Sequence, residues 1–437
     1  MSTEVPHDPR KSGPLSDHTV VFLRTSSPAR VAVYNHLKSQ GLSLIMVHPV
    51  LNPDFAHSFT KWVLCDTNDV EALAATLERE LKGIRIDAFV SLDEYGVYPA
   101  ACLQERYHHR PIPLSAKGLQ MTSIKSKFRE FCGLHNINSP RNVALYSPSE
   151  NPVERMKQNG VELPVILKPA CGAGSMLARR CDTLQEVEEF ATFMWANLRS
   201  HKDAKHLENL GAALHIVVEE YIGGQEVDID CTIDNGRVAF AVISDNFEPT
   251  PPFFLEVGGL CPTALPIDAQ GKLLALLESF VVAHGNALHG VLHFEAKYDF
   301  AHQRAYVIEV NCRLGSAETN TMLNASHQNV QLGESIVRCA LGMPLTNLDV
   351  ALHKPNSCWC ASVNLYAPKS GVVKEISAPD GDPALVYAQV AASVGAQVIG
   401  PPQSTAHLVW MVAKGATKDE AIANINRLTA AVSMVIE

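Results

Sequence analysis

The chain has 437 residues, 46% hydrophobic and 19% charged, which is long for one domain and too apolar for extended disorder. Its formal net charge is −10 and no basic tract stands out, which argues against a nucleic-acid partner or an anionic membrane surface. No apolar run approaches the roughly 20 residues of a spanning helix, and the polar stretch 1–17 reads as a disordered leader, not a signal peptide. Eleven cysteines without a CxxC pair read as reduced thiols of a cytoplasmic protein.

From His18 the chain alternates β-rich runs with helical ones: a strand over 19–23, a helix over 28–40, a strand over 42–47, and a strand over 88–91 followed by a helix through Arg106. That order predicts βαβ units around a parallel sheet. The turn after the first strand, Arg24-Thr25-Ser26-Ser27-Pro28, lacks the glycines of a dinucleotide-binding turn, so this segment is expected to serve as scaffold. A helix with Lys125, Lys127 and Arg129 follows, then a short buried strand at Pro164–Pro169, a helical stretch over 184–206, and a strand ending at Glu219-Glu220-Tyr221. The chain is expected to be strand-rich from there to Val310, helical over 333–341, and α+β from Cys360 onward.

Three segments have residue types suited to nucleotide chemistry. The loop Gly172-Ala173-Gly174-Ser175, after Lys168, offers backbone N–H groups that no side chain blocks, as a phosphate chain requires. In Glu219-Glu220-Tyr221-Ile222-Gly223-Gly224-Gln225-Glu226, a strand leaves into a Gly-Gly turn. Backbone groups at a strand end can read an adenine edge, and a carboxylate just beyond can accept ribose hydroxyls; an exposed acidic hairpin has the same pattern. The third segment is a hairpin, His293-Phe294-Glu295 to Glu309-Val310-Asn311-Cys312-Arg313. If Tyr298 pairs with Arg304, Glu295 sits opposite Val307 with Glu309 diagonal to it on the same face, roughly 7–8 Å away. Carboxylates so placed call for a cation between them, and hard oxygen donors favour Mg²⁺ or Mn²⁺. A one-residue slip would put the two on opposite faces.

Taken together and in this order, the three segments resemble the ATP-grasp superfamily over roughly residues 120–345. The resemblance implies an ATP-grasp fold of mixed α/β and α+β domains. A Rossmann-like pre-ATP-grasp domain is expected over 18–120, the ATP-grasp core over 121–345 with a lid over about 160–225, and a small α+β closing domain over 346–437. It implies ATP held by Lys127 (with Lys125 as a rival), Lys168, Gly172, Gly174 and Ser175; adenine read by Glu219 and the backbone of Tyr221 and Ile222; ribose by Glu226; and two Mg²⁺ (or Mn²⁺) by Glu295, Glu309 and Asn311.

The stretch Pro252 to Thr263 looks most like the L-amino-acid ligase and carnosine-synthase branch, in which Glu256 would meet a substrate ammonium or deprotonate the attacking amine. Some ligases of that branch have a histidine where Gly259 stands. The implied activity is an ADP-forming ligation of a carboxylate to an amine through an acyl phosphate. Arg313 would stabilise the oxyanion, and the partners implied are small molecules, amino acids in that branch. Homodimerisation is a family-level expectation. The competing readings are a noncatalytic ATP-binding regulator and a biotin-carboxylase-like enzyme.

Overall fold

Alternate residues of the first strand bury into different clusters: Val20 and Phe22 pack with Tyr34 and Leu37, whereas Val21 and Leu23 pack with Leu73 and Leu77. That is the signature of a parallel sheet covered on both faces. In this computed structural model, which describes residues 15–25, 27–172, 174, 177–200, 202–249, 254–327, 330–345, 357–400 and 406–437, the sheet runs Lys61–Leu64, Ser43–His48, Thr19–Leu23, Ala88–Val90, every pair parallel. After its last strand, Asp93 caps the helix Glu94–His108 by accepting the Tyr95 N–H, which sets Glu94 at the carboxyl end of the sheet.

A second, antiparallel sheet is ordered Asn142–Leu145, Ile216–Glu220, Val165–Pro169, Arg179–Cys181. The helices Pro152–Gln158 and Leu184–Leu198 cover it around Phe190 and Met194, and a capping box from Thr183 to Glu186 fixes the start of the longer one.

The third sheet has eight strands, ordered Arg304–Asn311, Gly290–Asp299, Gln225–Ile233, Val238–Asn246, Gly259–Cys261, Trp359–Tyr366, His407–Gly415, Leu385–Val390. Its last three strands come from the C-terminal segment and join through two pairs only, Leu260 with Ala361 and Cys261 with Cys360. The tail therefore extends the central sheet, and the smaller three-stranded sheet Gln397–Val398, Gly371–Ser377, Ser433–Ile436 lies beyond it.

Two helices stand in the region expected to be strand-rich or beyond it, Ile267–His284 and Ala317–Ser326. In the first, Leu273, Leu276, Leu277, Phe280 and Val281 are buried at helical spacing, while the β-branched Val281-Val282 pair gives the segment a strand-like look. The stretch expected to be helical over 184–206 is two helices, Leu184–Leu198 and Lys202–Asn209.

The turn between the second and third sheets depends on one glycine. Gly224 has φ +96°, and a Cβ there would overlap the carbonyl oxygen of Tyr298; Gly223 faces open space. Gly224→Ala should cost about 2 kcal/mol or more in urea unfolding, and Gly223→Ala less than about 1 kcal/mol. Equal costs would show that the close approach to Tyr298 does not constrain this turn.

Candidate functional site

The central sheet alternates strictly where it matters. Val227, Ile229, Cys231, Phe294, Ala296 and Val310 bury into one hydrophobic cluster, so Glu226, Asp228, Asp230, His293, Glu295 and Lys297 share the opposite face. The register stacks them in rows: Glu226 beside Lys297, Asp228 beside Glu295 beside Glu309, and Asp230 beside His293 beside Asn311.

This register differs from the expected one. Asp299, not Tyr298, pairs with Arg304, a slip of one residue that would put Glu309 on the wrong face. A bulge at Ile308 absorbs the slip, and Glu309 lies directly opposite Glu295. The two carboxylates share a face as expected, through a different pairing.

These rows floor a cavity of about 550 Å³ whose walls come from the second sheet, the eight-stranded sheet and the segments that follow strands of the N-terminal sheet. Over the nucleotide half stand Lys125 and Lys168. Lys125 is ion-paired to Glu309 at 3.1 Å, and Lys168 to Glu219 at 2.7 Å. Lys127 is exposed and does not line the cavity, whereas Lys125 does. The helix Lys125–Leu134 begins at Lys125 itself, and a residue two positions on points to the far side. Arg129, four positions on, shares the Lys125 face and grips Glu219 through two guanidinium nitrogens at 2.9 and 3.1 Å.

Glu219, expected to read adenine, lines the cavity with its carboxylate engaged by Arg129 and Lys168. Burial would raise its carboxyl pKa, but Arg129 and Lys168 overcome that and hold it at about 2. Its role in the structure is to keep Lys168 and Arg129 in place. The Tyr221 N–H is also committed, donating to the Pro164 carbonyl at 3.0 Å. Of the expected backbone pair, Ile222 remains at the cavity wall with no backbone partner for its N–H among the described residues. Glu226 lines the cavity and pairs with Lys297 at 3.2 Å. Gly172 and Gly174, at φ +140° and +71°, line it too, while Ser175 lies outside the described residues.

The donor set around Glu295 fits a hard divalent cation. Burial and the facing Glu309 carboxylate push Glu295 up to about 8, and no Lys or Arg pairs with it among the described residues. Glu309, despite its own burial, is held down by Lys125 and Lys168. Asn311 donates its amide to Glu295 at 2.8 Å, which leaves its oxygen for a metal. Among the described residues no group of three His, Cys, Asp or Glu is spaced to hold an ion, so two carboxylates and an amide would share a metal with water or phosphate oxygens.

At the other end of the cavity stand Arg313 and Glu256. Burial alone would weaken the Arg313 charge, but Glu94 binds its Nε at 2.7 Å and raises its pKa. The N-terminal segment is thus more than scaffold: Ser27, Arg30 and Glu94 all line the site. Glu256 sits in a loop whose carbonyl accepts from Asn364 at 2.8 Å and from the Tyr366 hydroxyl at 2.9 Å; burial and Glu318 push its carboxyl pKa up. Gly259 leaves no room for a histidine, because its Cβ would stand 2.7 Å from the Asp245 carbonyl oxygen.

With this geometry in view, the ATP-grasp domain family (ATP-grasp_4) matches residues 161–321, and L-amino acid ligase C-terminal domain 2 matches residues 364–437. The chain carries an ATP-grasp domain. Carnosine synthase 1 of Gallus gallus is 30% identical over 184 residues, 42% of this chain and 19% of that protein, so the match spans about a fifth of the relative's length. The L-amino acid ligase structure from Bacillus licheniformis superposes with a TM-score of 0.80 at 16% identity, over 97% of this chain and 99% of that one. The biotin carboxylase domain of the Hydrogenobacter thermophilus 2-oxoglutarate carboxylase, solved with MgADP and bicarbonate, gives 0.68 at 14% identity, over 95% of this chain and 90% of that one. The shared architecture is the ATP-grasp fold with an additional C-terminal domain.

Sequence reasoning did not find Arg129, Glu94, Arg30, Glu318 or Asn364 as site residues. A period-four link from Lys125 to Arg129 was available; the others come from distant segments and leave no local signal.

Two measurements check these assignments. Lys125→Met should weaken ATP binding by about 10- to 100-fold, the worth of a charge-assisted contact, and Lys127→Met by less than about twofold, in calorimetric titration. Glu219→Gln should cost about 3 kcal/mol at pH 7, the value of its lowered pKa. A lowered carboxyl pKa stabilises above the unfolded value, so the gap to wild type should close as pH falls from about 4.5 toward 2. A gap that stayed constant over that range would show that Glu219 is not held ionised by its two cations.

Proposed function

We propose that the chain is an ADP-forming ligase that activates a carboxylate with ATP, that of an amino acid, and joins it to an amine or a second amino acid. One observation supports this above the rest: the two halves of one cavity have complementary equipment. The nucleotide half has paired lysines and the Glu295, Glu309, Asn311 set; the other half has a held guanidinium and an unpaired carboxylate, Arg313 and Glu256. A nucleotide-binding regulator has no use for the second half.

In this reading Lys125 and Lys168 face the phosphates of ATP and spread the charge that develops as a substrate carboxylate attacks the terminal phosphorus. Mg²⁺, proposed as two ions at Glu295, Glu309 and Asn311, supplies charge neutralisation and orientation of the phosphate oxygens. Attack of the amine on the acyl phosphate places negative charge on the former carbonyl oxygen, and Arg313, fixed by Glu94, is the donor for it. Glu256, with its raised pKa, is placed to take the proton released by the attacking amine or to hold an ammonium. The second sheet, linked to the third by the Gly223-Gly224 turn, would close over the nucleotide and keep water from the acyl phosphate.

The test is phosphate release from Mg-ATP across a matrix of amino acids, carboxylic acids and amines, with products identified by mass. Release that depends on an amine, with stoichiometric amide, is expected, and Glu309→Gln should lower kcat by about 100-fold or more. ATP binding without release in any combination would favour the noncatalytic regulator, and bicarbonate-dependent release would favour a carboxylase.

A further inference from the structure

The carboxylates that line the cavity divide by whether a Lys or Arg meets them. On the nucleotide side Glu219 has Arg129 and Lys168, Glu220 has Arg141, Glu226 has Lys297 and Glu309 has Lys125; Glu295, the carboxylate offered to the metal above, has none among the described residues. On the other side Glu94 has Arg313. Asp228, Glu256 and Glu318 have none among the described residues, although all three line the cavity. Their nearest positive groups are already engaged. His293 lies 3.0 Å from Asp230, 3.7 Å from Glu295 and 3.8 Å from Asp228. One imidazole is therefore shared among three carboxylates, while Glu256 and Glu318 have no ion-pair partner among the described residues.

Glu318 is the sharper case, being only 8% exposed. It stands in the first turn of the helix Ala317–Ser326, where the helix end gives it partial compensation. It also accepts from the hydroxyl of Ser362 and the amide of Asn364. These dipoles do not suffice: burial leaves it raised to about 7.

A second observation is independent of the acids. Asn364 is 5% exposed and lines the same cavity. Its amide nitrogen is bound to two acceptors, Glu318 and the Glu256 carbonyl, which fixes the orientation of the group. Its oxygen is then a buried acceptor without a donor. A buried orphan acceptor costs about 1–3 kcal/mol unless something donates to it. Ser362, Asn364 and Tyr366 alternate along one C-terminal strand, and all three hold either Glu318 or the Glu256 loop. Unpaired carboxylates and an orphan oxygen have the same complement, a group rich in N–H and positively charged.

We propose that Glu318 and Asn364, with Asp228 beside them, form a subsite for a second cationic group on one of the two substrates, in addition to the α-ammonium that Glu256 would meet. The substrate class is an amino acid or amine with a further ammonium or guanidinium. This rests on the ligase reading above, and the experiment separates the two.

Phosphate release from Mg-ATP is measured for matched pairs that differ by the second charge: ornithine against norvaline, lysine against norleucine, putrescine against butylamine. Each is tested alone and with a neutral partner amino acid. The cationic member of at least one pair should have a kcat/KM at least tenfold above its neutral mate. In that pair Glu318→Gln should cut the ratio of the two by tenfold or more, whereas a merely structural role for Glu318 would lower both members alike and leave the ratio. Should Glu318→Gln fail to fold, Asn364→Leu, which removes the orphan oxygen, should lower the same ratio. Release in which the neutral member of every pair equals or exceeds its mate overturns this inference and leaves the ligase reading standing. No release with any amino acid or amine overturns both.

Discussion

Three carboxylates in one row across three adjacent strands, Asp228, Glu295 and Glu309, are the constraint on which the rest of the site depends. Alternation along the strands puts them there, because the intervening residues are apolar and must face the core. Like charges directly opposite on neighbouring strands repel, and burial adds to the cost. The surrounding structure reads as the set of responses to that row. Lys125 neutralises Glu309 from one side, His293 moderates Asp228 from the other, and Glu295 between them has the Asn311 amide at 2.8 Å and shares His293 at 3.7 Å.

The responses come from every part of the chain. Lys125 and Arg129 share one face of a helix that precedes the second sheet, and Glu219 sits between Arg129 and Lys168, so that two buried cations are held apart by a shared anion. Such a buried triad is weak as a source of stability and strong as a device for position, since removing the carboxylate strands two charges. Glu94, from the first turn of the helix that follows the last strand of the N-terminal sheet, does for Arg313 what Glu219 does for Lys168. The C-terminal strand Trp359–Tyr366 reaches the site because it pairs with the short strand Gly259–Cys261, and from there it fixes the Glu256 loop.

Much of this was legible in the sequence, and the reasons differ by element. The glycine loop, the Glu219–Glu226 segment and the ExNxR strand could be read because nucleotide chemistry uses short contiguous stretches. The strands of the parallel sheet over 19–23, 42–47 and 88–91 could be read because their central residues are apolar; its edge strand Lys61–Leu64, with one buried residue, could not. The helix Ile267–His284 could not, since its β-branched end mimics a strand. Lys125 and Lys127 could be told apart only once the helix start was known, because a two-residue difference decides which side of the helix faces the cavity. The partners of Glu219 and of the Tyr221 N–H, Arg129 and the Pro164 carbonyl, could not be read, because no local pattern announces them.

The sequence by itself determined which residue types are present, the period-two alternation that puts carboxylates on one face, and the short motifs from which the nucleotide half can be read. Periodicity and contiguous motifs are local, and local order survives in a string of letters. Only the tertiary structure decided the pairing of the hairpin, where a slip of one residue and a bulge at Ile308 cancel and leave Glu309 opposite Glu295. It alone decided which charges are compensated, because an ion pair depends on distances between segments up to about 220 positions apart in the chain, as for Glu94 and Arg313.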